Sequence, residues 1–374
     1  MGSERWAWMV WFWVILSIGN MVGIMILHVS ANPAVPAIYV FGDSTADVGT
    51  NNYLAECGAK VNFPHHGIDY PGSKPTGRFS NGYNSIDFLA QFLGFEESPP
   101  PFLYLLRKDK KNFMRNVLNG ANFASGGAGL LGITGKRPYK RVISVAEQVQ
   151  QFAKVRNAYT KLLGNQAEDR LSKSLFLISV GSNDIFEYFL YNQTQIKSEN
   201  FISTLLYSYE YHLRGLLRLG AKRLGIVSVT PIGCCPIIRI RSENEECSDT
   251  MNAFAKKFNL GLEALLKKLS TEGAKPMKYS IAKSYDMTLS VLNDPLSYNF
   301  KDGKSACCGN GGRLNAEERC KPDSKVCKDR NALLFWDQFH PTEVAFKLAA
   351  MALYGGGDQH IAPMNISQLA ILKF

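Results

Sequence analysis

The strongest constraint on this chain is its rhythm. Short apolar runs at residues 36–40, 119–124, 175–180, 223–229 and 278–282 alternate with longer segments whose apolar residues recur at helical spacing. Residues 85–93 place Ile86, Leu89, Ala90 and Leu93 on one face before Gly94 closes the turn, and residues 145–163 align Val145, Val149, Phe152, Val155 and Tyr159. Further helices are expected at 201–219, 249–269 and 344–353. Strand and helix in alternation argue for a parallel sheet with helices on both faces, and the run 175–180 suits a strand covered on both sides. No repeat or linker divides the 374 residues, so one α/β domain is expected. The Cys-rich segment 306–327 interrupts the rhythm, and the stretch beyond Gly355-Gly356-Gly357 reads as a peripheral tail.

In a parallel sheet the carboxyl ends of the strands line one edge, where such folds place their ligands. The exits here are Gly42-Asp43-Ser44, Ser125-Gly126-Gly127-Ala128-Gly129, Gly181-Ser182-Asn183-Asp184 and Thr230-Pro231-Ile232-Gly233. Taken singly, each of these residues is an ordinary turn or cap residue. A serine becomes a nucleophile only with a base, and His340 is the histidine with an acid in an orienting position, Asp337 three residues before it. His28, His65, His66, His212 and His360 have no acidic neighbour in such a spacing near a strand end. Attack on an ester produces an oxyanion, for which the N–H of Ser44, the N–H of Gly127 and the amide of Asn183 are the donors expected. The glycines at 127, 129 and 132 match a dinucleotide fingerprint, but no acidic residue follows a second strand at the required distance, so no nicotinamide cofactor is expected. Residues 65–82 form an irregular stretch dense in Gly and Pro, of a length that in compact domains carries function or covers a site.

The first residues point to export. Arg5 precedes an apolar run, 6–27, that is long enough to cross a bilayer, and Val29-Ser30-Ala31 offers small residues at a cleavage position. Residues 1–31 are therefore read as a removed signal peptide and 32–374 as the mature domain. An even set of cysteines, at 57, 234, 235, 247, 307, 308, 320 and 327, is then expected to be mostly paired, and the spacing of the last four does not fit zinc. Asn192 and Asn365 head glycosylation sequons. The formal charge of +10 is dispersed apart from Arg107-Lys108-Asp109-Lys110-Lys111, which argues for weak affinity toward polyanions such as an acidic wall polysaccharide rather than for nucleic-acid recognition.

Together these blocks resemble the plant-type GDSL esterase/lipases of the SGNH hydrolase superfamily. The resemblance rests on Phe41-Gly42-Asp43-Ser44 with Asp47-Val48-Gly49, on Gly120-Ala121-Asn122-Phe123-Ala124-Ser125-Gly126-Gly127, on Gly181-Ser182-Asn183-Asp184 and on Asp337-Gln338-Phe339-His340-Pro341. Pro75-Thr76-Gly77-Arg78-Phe79-Ser80-Asn81-Gly82 and Cys307-Cys308-Gly309 are similar to family text as well. Thr45 stands where the family usually has Leu, and Thr50 where Asn is common; neither replaces a catalytic group. The resemblance implies a flavodoxin-like three-layer α/β/α sandwich, a secreted carboxylic ester hydrolase, no metal or organic cofactor, and the triad Ser44, His340 and Asp337 with Gly127 and Asn183 in the oxyanion hole. Transfer of the acyl group to a lipid or wall hydroxyl, and a non-catalytic wall-binding glycoprotein, are the competing readings. The related α/β-hydrolases are set aside because their elbow, Gly-x-Ser-x-Gly, would need glycine where Ala46 stands. Phe63, Tyr70 and Phe79 are candidate lining of an acyl pocket.

Overall fold

The computed structural model describes residues 33–108, 111–191, 196–273 and 276–373. The proposed signal peptide and Asn192 lie outside the described residues, and the basic run at 107–111 lies partly outside them. Five strands run parallel at the centre: β1 (Ile38–Gly42), β2 (Gly120–Asn122), β3 (Leu175–Ser179), β4 (Arg223–Val227) and β5 (Lys278–Ala282). Their order is β5-β4-β3-β1-β2, so β1 pairs with both β2 and β3 and the Ser44 exit lies between two neighbouring exits. Each of these strands is a run expected from the sequence, with no end shifted by more than two residues.

Alternate residues of the strands feed two cores. On one face Tyr39, Phe41, Phe176, Ile178, Leu224 and Ile226 pack under α2 (Val145–Leu163), α4 (Ser198–Arg218) and α5 (Asp249–Leu269). On the other, Ile38, Val40, Leu175 and Leu177 meet α1 (Ser85–Phe92), α7 (Glu343–Gly355) and α8 (Ile366–Ile371). This is a three-layer α/β/α sandwich. Burying each large apolar side chain contributes about 2 kcal/mol, and a period of two places successive residues in opposite layers. Local chemistry starts the helices: Ser144 with Glu147 and Asn84 with Asp87 form capping boxes, so orphan N–H groups are met by side chains at the residues where apolar spacing begins.

Three features depart from the sequence reading. The tail beyond Gly357 is not peripheral: β8 (Ile361–Ala362) adds an antiparallel edge strand to β5, and Ile366, Leu369 and Ala370 of α8 are buried over the sheet. Triple glycine made the stretch after it read as peripheral, yet its apolar residues pack into the face that α7 also covers. Second, a helix, α3 (Ser182–Tyr191), begins directly at the exit of β3, and α6 (Ser284–Asn293) follows β5. Third, the Cys-rich segment has structure of its own, with β6 (Asp302–Ala306) running parallel to β7 (Leu333–Phe335) and bonds Cys307–Cys327 and Cys308–Cys320. The four cysteines weighed as zinc ligands are thus all in disulfides; Cys234–Cys247 is a third, and Cys57 and Cys235 are free thiols.

Candidate active site

Ser44 sits in the first turn after β1, where the backbone is tightly fixed. Gly42 has φ +138°, and a Cβ there would lie 1.9 Å from the carbonyl oxygen of Ser179 on β3, so only glycine lets the chain turn so close to its neighbour. The buried amide of Gln148 accepts from the Gly42 N–H and donates to its carbonyl, both at 2.8 Å. The next residue, Asp43, accepts from Thr45 N at 3.0 Å and from Thr45 Oγ1 at 2.8 Å. Burial pushes the Asp43 carboxyl up to about 6 against the pull of these donors. Asp47 accepts from Gly49 N, Thr50 N and, across the sheet edge, Gly126 N at 2.9 Å, and burial lifts it to about 6 as well. Two buried carboxylates therefore shape the turn, and one of them ties it to the loop after β2.

The partner groups come from the loop between β7 and α7. Cys307 N and Cys308 N donate to the carbonyls of Phe335 and Trp336, so the disulfide knot is hydrogen-bonded to the segment leading into Asp337. Trp336 is fully buried against those cysteines. Asp337 Oδ1 accepts from Phe339 N and His340 N, both at 2.9 Å, and its two oxygens lie 2.8 and 2.9 Å from His340 Nδ1. His340 Nε2 is 2.8 Å from Ser44 Oγ. Burial works to raise the Asp337 carboxyl, but the His340 and His66 imidazoles outweigh it and hold the group well below the usual carboxylate range. Phe79 flanks the His340 ring at 4.9 Å between centroids.

The loops after β2 and β3 complete the site. Gly127 has φ +82°, and a Cβ there would meet the Tyr139 ring at 2.6 Å. Among the described residues no acceptor is found for the N–H of Ser44 or of Gly127. Asn183, in the first turn of α3, donates through Nδ2 to Ala128 O at 2.9 Å, which joins the two loops. Beside it the buried Asp184 accepts from Leu130 N, Leu131 N and Thr134 Oγ1, clamping the stretch 130–134 to the start of α3. That clamp holds the stretch that carries the last glycine of the dinucleotide-like motif. Ser44, Gly127, Asn183 and His340 all line one cleft of about 1350 Å³.

A family model for GDSL-like lipase/acylhydrolase matches residues 38–353. The chain belongs to the GDSL lipase/acylhydrolase family. It is 35% identical to GDSL esterase/lipase At5g55050 of Arabidopsis thaliana over 90% of each chain, and 35% identical to GDSL esterase/lipase 6 of the same plant over 92% of each chain. GDSL esterase/lipase At4g16230, also from Arabidopsis thaliana, is 35% identical over 92% of this chain and 93% of its own. As a GDSL esterase/lipase the protein is a carboxylic ester hydrolase, and its mostly parallel sheet between helical layers is the SGNH fold.

Every site residue expected from the GDSL blocks lies at this one edge of the sheet. Of the aromatics, Phe63 and Phe79 line the cleft, whereas Tyr70 meets the Tyr83 ring at a tilt and takes the Arg78 guanidinium over its own ring. Sequence reasoning passed over His66, whose Nε2 lies 3.8 Å from Asp337 Oδ2. No spacing rule links residues so far apart; only its place in the irregular stretch 65–82 marked it. It also missed Gln148, which reads as an ordinary helix residue, and the clamping role of Asp184, which was visible only as part of the exit after β3. Among the described residues no group of three or more His, Cys, Asp or Glu side chains is arranged to hold a metal ion, and no described helix is long and apolar enough to cross a membrane.

Proposed function

We propose that this protein is a secreted serine esterase in which Ser44 attacks the ester carbonyl. The reading rests on one observation, the continuous relay from Ser44 Oγ to His340 Nε2 at 2.8 Å and from His340 Nδ1 to Asp337 at 2.8 Å. His340 takes the Ser44 proton as the Oγ–carbonyl carbon bond forms, Asp337 holds the imidazole in place and stabilises its charge, and the same proton passes to the departing alcohol. Water then attacks the acyl-enzyme by the reverse sequence, with His340 again as base. Oxyanion charge falls to the N–H groups of Ser44 and Gly127 and to the Asn183 amide. Support for these donors is that the two backbone N–H groups are already without a protein acceptor among the described residues.

The cleft beside Ser44 carries Val227, Met287, Val291, Phe346 and Leu348 on its lining, an apolar surface suited to an acyl chain. Three disulfides support passage through an oxidising compartment, as the proposed signal over 1–31 requires. Asn192 and Asn365 are the sequons proposed to carry glycans; Asn365 caps α8 through its oxygen, which a glycan on Nδ2 would leave in place, and donates through Nδ2 to Gly356 O, so a glycan there would have to share that nitrogen with this bond. Replacing Ser44 by Ala is expected to abolish turnover of p-nitrophenyl butyrate while leaving the circular-dichroism spectrum and melting curve intact. Comparable turnover by Ser44→Ala would overturn the assignment.

A further inference from the structure

His66 is the one buried imidazole at the site that the proposed relay leaves unused. Its side chain is 1% exposed, with Nε2 3.8 Å from Asp337 Oδ2, longer than a hydrogen bond but within the range of a direct electrostatic contact. Phe63 and Trp336 pack edge-on against the ring, at 4.9 and 5.9 Å between centroids. The other ring nitrogen, Nδ1, faces the disulfide sulfur of Cys320 at 3.9 Å, a weak acceptor. Nε2 has no hydrogen-bond partner among the described residues. A position needing only bulk would be filled more cheaply by an apolar ring, because a buried polar group without a partner costs about 1–3 kcal/mol.

The loop holding His66 is built to hold it still. His65 adopts φ +88°, a left-handed conformation costly for a residue with a side chain, and Gly67 follows at φ +82°. Gly67 N donates to Ser80 O and Asp69 N to Asn81 O. Asp69 takes two hydrogen bonds from Arg330, at 2.6 and 2.7 Å, and Asn81 Oδ1 accepts from Glu343 N at the start of α7. The strained turn is thus stapled to both ends of the segment that carries Asp337 and His340.

We propose that His66 is a positioning residue for the proton relay: its Nε2–H faces the outer oxygen of Asp337 and fixes the rotation of the carboxylate against His340. The inference rests on the relay reading of the site. Two imidazoles share one carboxylate here, and only one of them can serve Ser44. Burial, outweighing the opposing pull of Asp337, lowers the His66 pKa and keeps its ring neutral, so the proton leaving Ser44 Oγ is held at His340. The other titratable groups facing Asp337, the Cys235 thiol and the Tyr139 phenol, are pushed up to about 12 by burial and stay uncharged.

His66→Leu removes the donor and keeps the bulk; His66→Gln restores an N–H near the position of Nε2. The Leu variant is expected to lose about tenfold in kcat with KM unchanged within a factor of about two. Its acid limb of kcat/KM should move to higher pH, because the Nε2–H dipole no longer draws on the carboxylate charge that favours imidazolium at His340. The Gln variant should recover both. A folded Leu variant with wild-type kcat and acid limb overturns the proposal, as does a Gln variant as impaired as Leu. If His66→Leu does not fold, NMR of isotope-labelled histidine in the wild type decides: a neutral, Nε2-protonated His66 supports the proposal, and an Nδ1-protonated ring overturns it. Activity retained by Ser44→Ala would instead sink the relay itself, so the two failures are distinguishable.

Discussion

Asn183 illustrates how much a single side chain does at this site. One N–H of its amide is engaged by Ala128 O at 2.9 Å, and an amide nitrogen carries a second N–H, the one assigned to the proposed oxyanion hole. Replacing it by Ala should lower kcat on p-nitrophenyl butyrate by about a hundredfold or more, with little change in KM, since the donor acts on charge that develops in the transition state. Steady-state kinetics check this, and a loss below threefold would remove Asn183 from the oxyanion hole. Asn183, Ser44, Asp337 and His340 were legible in the sequence because each stands at a strand exit or in a local pair, where backbone periodicity alone fixes its neighbours. His66 was not, because its partner is met only after the disulfide-clamped segment folds back over it. The buried carboxylates Asp47 and Asp184 fall between: Asp47 was visible as part of the block after β1, but its reach to Gly126 was not.

Among the elements, β1 and its exit carry the most constraint. The strand is fully buried, and Phe41 stacks on Phe123 at 4.9 Å while meeting Phe152 edge-on at 5.8 Å. At its end the backbone of Gly42 has no room for a Cβ beside Ser179 O. Gly42→Ala should therefore destabilise the fold by about 3 kcal/mol, because backbone rather than a mobile side chain must yield, and it should displace Ser44 from His340. A denaturation midpoint and an esterase activity equal to wild type would contradict this. The apolar runs of the central strands announced themselves in the sequence. The edge strand β8 did not, since two residues after a glycine triplet carry no period, and α3 was masked by the polar exit motif that forms its first turn.

Over the whole molecule, a sheet with two cores holds three loop ends within hydrogen-bonding distance of one another, and a disulfide knot holds the fourth, from 336 to 341, against them. The two-layer burial was implied by strand–helix alternation; the knot's role was not, because cysteine spacing does not disclose which backbone it braces. The proposed acyl-enzyme and the proposed division of labour among Ser44, His340 and Asp337 depend on this convergence at one cleft. The most direct measurement is peptide mapping by mass spectrometry after treating the native protein with a fluorophosphonate. A single adduct on Ser44, lost in His340→Ala, is the result predicted; no adduct, or an adduct on a different serine, would contradict the account.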